Sequence, residues 1–407
     1  MADEPAPVTV AEILAARDVL SGVIRPTPLK YNRSLSELVG TEVYLKCENL
    51  QRAGSFKIRG AYTRMSRLSA QEKARGVVAA SAGNHAQGVA LAAQMLGIAA
   101  KVYMPVRAPM PKLAATRAYG AVIEQVGETL DESLVHARAW AEETGAVLIH
   151  PFDHRDIVAG QGTCGLEILE QCPDVRTVVV GLGGGGLLSG IAAVLRERRP
   201  QARVVGVQAE QAAAYPPSLA AGHPVAAVRM STMADGIAVG MPGQVTFPMV
   251  RDFVDSVDTV SEGALSRALL FLLERAKMVV EPAGAAAVAR LLEGAGETWE
   301  GPVVAVLSGG NIDPLLMLRI IRHGMAAAGR YLQFSVRVPD SPGNLARLLA
   351  DCARLDANVL EVEHIRTGTA IRVDEVEIGL RLETRGHDHC ERVLATLAAE
   401  GYEVLRG

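Results

Sequence analysis

The strongest constraint on the fold is a β-branched run that empties into glycine. Val178-Val179-Val180-Gly181-Leu182 leads straight into Gly183, Gly184, Gly185 and Gly186, and Leu187 opens an amphipathic stretch to Arg198. Four adjacent glycines lose a great deal of backbone freedom on folding, which a plain strand-to-helix turn does not require. What they permit is close approach of backbone N–H groups to an anion, with the partial positive charge of a helix start behind them. A phosphate group is the natural occupant. Gly181, Gly183 and Gly186 also spell G-x-G-x-x-G, so a dinucleotide loop must be weighed. The unit falls late in the α/β region, however, and Glu210 is only a loose match to a ribose-binding acid about 20 residues on. No G-x-x-x-x-G-K-[ST] occurs, which excludes a P-loop nucleotide hydrolase.

From about Glu42, short strands alternate with longer Ala-rich amphipathic stretches. The expected strands are Val43–Leu45, Val77–Ala80, Lys101–Met104, Ala121–Ile123, Val147–Ile149, Thr177–Val180, Val204–Val207 and Val303–Leu307. Helices are expected over His85–Leu96, Pro111–Tyr119, Leu130–Glu143 and Leu187–Arg198. This βαβα rhythm predicts an α/β fold, a parallel sheet clothed by helices, with ligands at the strand ends. After Arg330 the rhythm changes to strand Leu332–Val338, helix Gly343–Leu355, strands Asn358–Arg366 and Ile371–Leu382, helix His387–Glu400 and strand Tyr402–Leu405. That βαββαβ order describes a small ferredoxin-like α+β module. The Ala-Gly-rich Ile320–Arg330 is expected as the linker, dividing the chain into 1–325 and 326–407.

Composition limits the partners. With 41 Lys+Arg against 45 Asp+Glu the net charge is −4, which argues against nucleic acid or an anionic membrane surface. Apolar residues make up 49% of the chain, enough for a large core. Met1-Ala2-Asp3-Glu4-Pro5 is acidic where a signal peptide is basic, and Val89–Ala100 is too short for a membrane span. Cys47, Cys164, Cys172, Cys352 and Cys390 form no CxxC pair and no zinc spacing, so a reducing cytoplasm is expected.

Three further strand ends carry reactive or polar groups. Lys57, in Ser55-Phe56-Lys57-Ile58-Arg59-Gly60, starts a predicted helix; alone it reads as a surface charge, but in an apolar setting a lysine becomes a Schiff-base nucleophile. Ser81-Ala82-Gly83-Asn84-His85 follows the strand Val77–Ala80, with Ser81 placed to cap the next helix and the first-turn N–H groups suited to a carboxylate. Ser308-Gly309-Gly310-Asn311 ends the strand Val303–Leu307, and in isolation is a turn.

Taken together in this order, these four motifs resemble those of the pyridoxal-phosphate-dependent threonine dehydratases, of the two-lobed tryptophan-synthase-β-like fold (fold type II). The resemblance covers about residues 8–325. It implies that Lys57 holds the cofactor in Schiff-base linkage and later shuttles the α-proton. It implies that Gly183, Gly184, Gly185 and Gly186 cradle the phosphate, that Asn84 bonds the 3′-oxygen, and that Phe56 packs near the ring. Ser308 then faces the pyridine nitrogen, where a neutral hydroxyl does not enforce a pyridinium. The loop Ser81, Ala82, Gly83, Asn84, His85 holds the substrate carboxylate, with Pro151-Phe152-Asp153 near its side chain. The implied reaction is dehydration and deamination of L-threonine, or of L-serine, to a 2-oxo acid and ammonia.

Related serine racemases carry serine where this chain has Ala82, so racemisation is the weaker alternative, alongside a lyase for 3-hydroxyaspartate and a non-catalytic amino-acid sensor. Cation-binding relatives pair an acid matching Glu210 with a second acid where Pro216 stands here, so no metal is expected. The tail resembles an ACT regulatory domain. This implies an amino-acid effector, isoleucine or valine, at the loop containing Gly343 and Asn344, and a homodimer or homotetramer.

Overall fold

The computed structural model describes residues 5–366 and 372–406. Contacts divide the chain into two compact units, residues 1–314 and 315–407. The first holds strands β1 (Leu29–Tyr31), β2 (Val43–Lys46), β3 (Val77–Ala80), β4 (Ala100–Met104), β5 (Val122–Gln125), β6 (Val147–Leu148), β7 (Thr177–Gly181), β8 (Arg203–Ala209), β9 (Ser256–Val260) and β10 (Val303–Val306). They form two sheets. The larger has the order β1-β2-β10-β7-β8-β9 and the smaller β5-β4-β3-β6. Every pair is parallel except β1 with β2.

The central strands β3, β7 and β10 read as unbroken Val/Ala runs because helices cover both faces, leaving no solvent side to alternate with. Register places Val304 between Tyr44 and Val178, so β10 ends beside both the Lys57 segment and the glycine run. Behind them the helices Arg155–Gln171 and Gly186–Arg198 touch backbone to backbone: a Cβ on Gly190 would fall 2.5 Å from the Gly162 nitrogen.

The second unit contains β11 (Tyr331–Pro339), β12 (Asn358–Ile365), β13 (Glu375–Glu383) and β14 (Glu403–Arg406), an antiparallel sheet of order β12-β13-β11-β14. With the helices Asn344–Arg354 and His387–Ala399 this is the ferredoxin-like βαββαβ arrangement. Val376, Ile378, Leu380 and Leu382 alternate inward from β13 onto Leu348, Cys352, Val393 and Leu397. The expected start of its strand at Ile371 lies outside the described residues, as do Met1–Glu4.

The expected linker is not one. Residues 320–327 belong to the helix Pro314–Ala327, opened by a proline and closed where Gly329 turns left-handed (φ 64°) and Arg330 N–H returns to the Met325 carbonyl at 2.9 Å. Three consecutive alanines favour helix over flexible chain, and the unit boundary falls at Pro314/Leu315 rather than 325/326. Among the described residues no helix is long and apolar enough to cross a membrane.

Candidate active site

After β2 the chain makes two short turns and extends through Ser55, which bridges to Gly309, while Phe56 N–H donates to the Ser308 carbonyl at 3.2 Å. These bonds deliver Lys57 as the first residue of the helix Lys57–Ser66. Its Nζ donates to the Pro151 carbonyl at 3.0 Å and lies 5.0 Å from the centre of the Phe56 ring. Burial, which disfavours the ammonium, lowers the amine to about 8, against the pull of Glu281. A neutral amine is therefore far more accessible here than on a surface lysine. Ser308 is buried, and the Ser55 hydroxyl is buried without a partner.

The glycine run ends at the start of a helix. Gly185 takes φ 96° as the N-cap of the helix Gly186–Arg198, with no side-chain cap. Thr246 Oγ1 donates to the Gly184 carbonyl at 2.6 Å, as does Tyr215 Oη at 3.2 Å. In a trans peptide the following N–H points the opposite way, so tying back this carbonyl directs the Gly185 N–H away from Tyr215 and Thr246. Side chains have no room: a Cβ on Gly184 would sit 2.3 Å from the Phe152 ring, and one on Gly185 2.3 Å from Tyr215 Oη. The loop is a bare donor surface at a helix start, suited to phosphate.

The Ser81–His85 loop corrects one detail. Ser81 does not cap the helix Asn84–Leu96; its Oγ accepts the Gly83 N–H at 3.1 Å, one residue early, and the N-cap Gly83 offers no side chain. The first-turn donors thus stay free of side-chain partners, which favours an anion there. His85 is buried, its Nε2 donating to the Ile149 carbonyl at 2.7 Å, and burial together with Lys57 pushes it down to about 3. It is a neutral structural pin. Asn84 accepts from Asn311 Nδ2 at 2.8 Å and donates to Glu281 Oε1. Asn311 also donates to the Ala53 carbonyl at 2.6 Å, and Glu281 N–H to the Gly309 carbonyl at 3.1 Å. All four motifs therefore converge: Lys57, Asn84, the glycine loop and Ser308 are linked through Pro151, Phe152, Glu281 and Asn311.

In the segment expected near the substrate side chain, Pro151 offers its carbonyl to Lys57 and Phe152 packs on the glycine loop. Asp153 instead accepts the N–H groups of Gln244 and Val245 at 2.9 and 2.7 Å. A hollow of about 510 Å³ around Arg290 and Glu293 shares no lining residue with the site.

Glu281 has no counterpart among the sequence expectations. It is buried, and burial first, then Asp235, raises its carboxyl to about 7. The available signal was its isolation as the sole charge between Lys277 and Arg290. Lys112 and Asp235, paired at 2.5 Å between the helix Met110–Ala118 and the short turn Asp235–Ile237, carried no such signal.

Comparisons with known proteins agree with this geometry. A family model described as pyridoxal-phosphate dependent enzyme matches residues 20–309. The L-threonine ammonia-lyase of Thermotoga maritima is 46% identical over 397 residues, covering 98% of this chain and 99% of that protein. Among solved structures, the processed form of threonine deaminase isoform 2 from Solanum lycopersicum aligns with TM-score 0.72 and 35% identity over 77% of this chain and 94% of its own. The serine racemase of maize aligns with TM-score 0.73 and 33% identity over 79% and 99%.

Proposed function

This chain belongs to the family of pyridoxal-phosphate-dependent enzymes, and from that membership and the site geometry we propose that it is an L-threonine ammonia-lyase. The observation that carries the reading is the Lys57 amine, lowered to about 8, set among the motifs that join the bare glycine loop to Ser308. The residues fit the cofactor: an amine for its aldehyde, uncapped N–H donors for its phosphate, a buried hydroxyl for its ring nitrogen and an aromatic face at Phe56. Bound there, pyridoxal phosphate supplies the electron sink that acidifies an amino acid's α-carbon and lets a β-hydroxyl leave.

The chain's own residues do the rest. Lys57 anchors the cofactor and, when freed, its amine takes the proton at the substrate α-carbon. Gly183–Gly186 hold the phosphate, and the N–H groups of the first turn at Gly83–His85, which no side chain caps, hold the substrate carboxylate together with Ser81 and Ala82. Asn84, braced by Asn311 and Glu281, orients the cofactor's 3′-oxygen. Ser308, uncharged, would not enforce a protonated ring nitrogen, which favours prompt loss of the β-hydroxyl over transamination. L-threonine gives 2-oxobutanoate and ammonia, and L-serine gives pyruvate.

The second unit is read as an ACT-type regulatory domain binding isoleucine or valine. A cavity of about 270 Å³ lined by residues 338–345, Gly343 and Asn344 among them, and by His364, Arg366, Val376 and Ile378 supports this. A homodimer or homotetramer and a role in branched-chain amino-acid synthesis belong to the same reading. Five buried, unpaired cysteines support a reducing cytoplasmic setting.

The test is 2-oxobutanoate release from L-threonine by the purified chain, with and without isoleucine. Product that falls with isoleucine supports both assignments. Product insensitive to isoleucine keeps the enzyme and removes that effector; no product despite bound cofactor redirects the search to serine or 3-hydroxyaspartate. The likeness to maize serine racemase favours a second reading, which Ala82 opposes because a methyl group has no proton to give. D-serine accumulating from L-serine would reverse that order.

A further inference from the structure

Behind the lysine lies a group of buried charges that the reaction itself does not use. Arg59, fully buried, grips Glu48 with two donors, Nε at 2.7 Å and Nη2 at 2.8 Å. Its Nη1 reaches Glu167 Oε1 at 2.7 Å and Thr163 Oγ1 at 2.9 Å. Lys46, equally buried, donates from Nζ to Glu167 Oε2 at 2.5 Å, the Thr27 carbonyl at 2.8 Å and Gln171 Oε1 at 3.0 Å. Thr27 completes the set, its hydroxyl on Glu48 at 2.5 Å and its N–H on Glu167 at 3.1 Å. Two cations meet two carboxylates, and each charged atom has a partner.

Such a network is a poor way to gain stability. Desolvating four ions consumes most of what their attraction returns, and apolar residues of similar volume often serve as well. What it does supply is geometry. Arg59 stands two residues after Lys57, so at about 100° per residue the two side chains leave the helix on roughly opposite sides. Lys57 faces Pro151, while Arg59 is bolted to the turn after β2 and to the helix Arg155–Gln171. Two contacts limit the helix further. Gly60 N–H donates to Gln161 Oε1 at 3.3 Å, and a Cβ on Gly88 would fall 3.1 Å from the Lys57 Cβ. A side chain reaching about 6 Å from a helix axis moves about 1 Å for a rotation of about 10°. A misplacement of about 1 Å can cost on the order of 100-fold in rate.

We propose that Arg59 is a positioning residue: by pairing with Glu48 and Glu167 it fixes the rotation of the Lys57–Ser66 helix and thereby the placement of the Lys57 amine. The inference rests on the reading of Lys57 as the cofactor-bearing residue, and the experiment separates the two. The double variant Glu48→Leu/Arg59→Met removes one charge of each sign and leaves Lys46 paired with Glu167, so no lone charge is stranded. The holoenzyme is examined by circular dichroism, total bound cofactor, borohydride trapping of cofactor on Lys57 read by peptide mass mapping, and steady-state kinetics with L-threonine.

The expected result is a folded protein that binds cofactor, with the trapped fraction reduced and kcat down about tenfold or more while KM stays within about threefold. Arg59→Lys keeps the charge but loses the planar fork, and is expected to show the same split, with kcat down about threefold to tenfold. It serves as the deciding variant should the double variant not fold. Wild-type trapping with kcat within about twofold in a folded variant overturns the proposal. Absence of trapping on Lys57 in the wild type overturns the Lys57 reading instead, and the positioning role with it.

Discussion

Lys57 Nζ donates a hydrogen bond to the Pro151 carbonyl at 3.0 Å, joining the first residue of one helix to the loop that packs on the glycine run. A carbonyl accepts from an ammonium and from a neutral amine alike, so this contact orients the nitrogen without fixing its charge. On the proposed reading, replacing Lys57 with Ala removes the amine that anchors the cofactor and takes the α-proton. Covalently trapped cofactor and 2-oxobutanoate release are both expected to vanish to background. Turnover within about tenfold of wild type in that variant would discard the mechanism.

Glu281 and Lys57 act on each other electrostatically within the site. The carboxylate raises the lysine against burial, so Glu281→Gln leaves burial unopposed and the Lys57 midpoint falls below about 8. Acetylation of Lys57 in the cofactor-free chain, followed by mass spectrometry across pH, reads this directly; an unchanged or higher midpoint counts against the coupling. Stability carries the matching sign. Glu281 is raised from 4.5 to about 7, so the folded chain binds the extra proton between those values and loses stability as pH rises through them. In Glu281→Gln that part of the slope disappears from the melting temperature measured across the same range.

The glycine loop should tolerate no methyl group. Gly185→Ala forces a side chain into φ 96°, costing about 1–2 kcal/mol, and drives a Cβ toward Tyr215 Oη. Gly184→Ala must displace the Phe152 ring. Both are expected to weaken cofactor affinity about tenfold or more, seen by titrating the cofactor-free protein with pyridoxal phosphate, and Gly185→Ala should also melt lower. Wild-type affinity in both would mean that the phosphate is held elsewhere.

Legibility along this chain follows burial and sequence distance. Val178–Gly186 is readable because a strand buried on both faces advertises itself as an apolar run, and the glycines follow at once. The helix Arg155–Gln171 is not. It is buried nearly all round and contacts its neighbours through Gly160, Gly162 and Gly165, so it lacks the 3.6-residue alternation that marks a surface helix. Ser308 is opaque alone because its meaning comes from Phe56, whose N–H its carbonyl receives across some 250 residues of chain. Asn311 was visible inside a turn motif, yet its bridge between Ala53 and Asn84 is a tertiary fact. In the tail, alternation along β13 and the turn at Gly343 made the module readable, whereas Met325–Gly329 misled because the same small residues suit a linker and a helix end.

The loop before the helix Asn344–Arg354 offers the cleanest test of regulation. Gly343 holds φ 96°, and Asn344 Nδ2 donates to the Pro339 carbonyl at 3.0 Å and to Ser341 Oγ at 2.8 Å, so the amide clamps the loop against the end of β11. Arg366 meets Asp340 at 3.1 Å across the same cavity, and both side chains are exposed enough for water to screen the pair. An amino-acid effector brings an ammonium and a carboxylate, and these can exchange partners with Asp340 and Arg366 at little cost because the pair is weak. Asn344→Ala loosens the loop that frames the cavity, so the isoleucine concentration for half-inhibition should rise about tenfold or more. Asp340→Ala leaves Arg366 without its partner and removes the only acid among the described residues that line the cavity, and should raise that concentration as well. Both are read from 2-oxobutanoate release against isoleucine concentration; inhibition curves that overlay the wild type in both variants would place the effector outside this cavity.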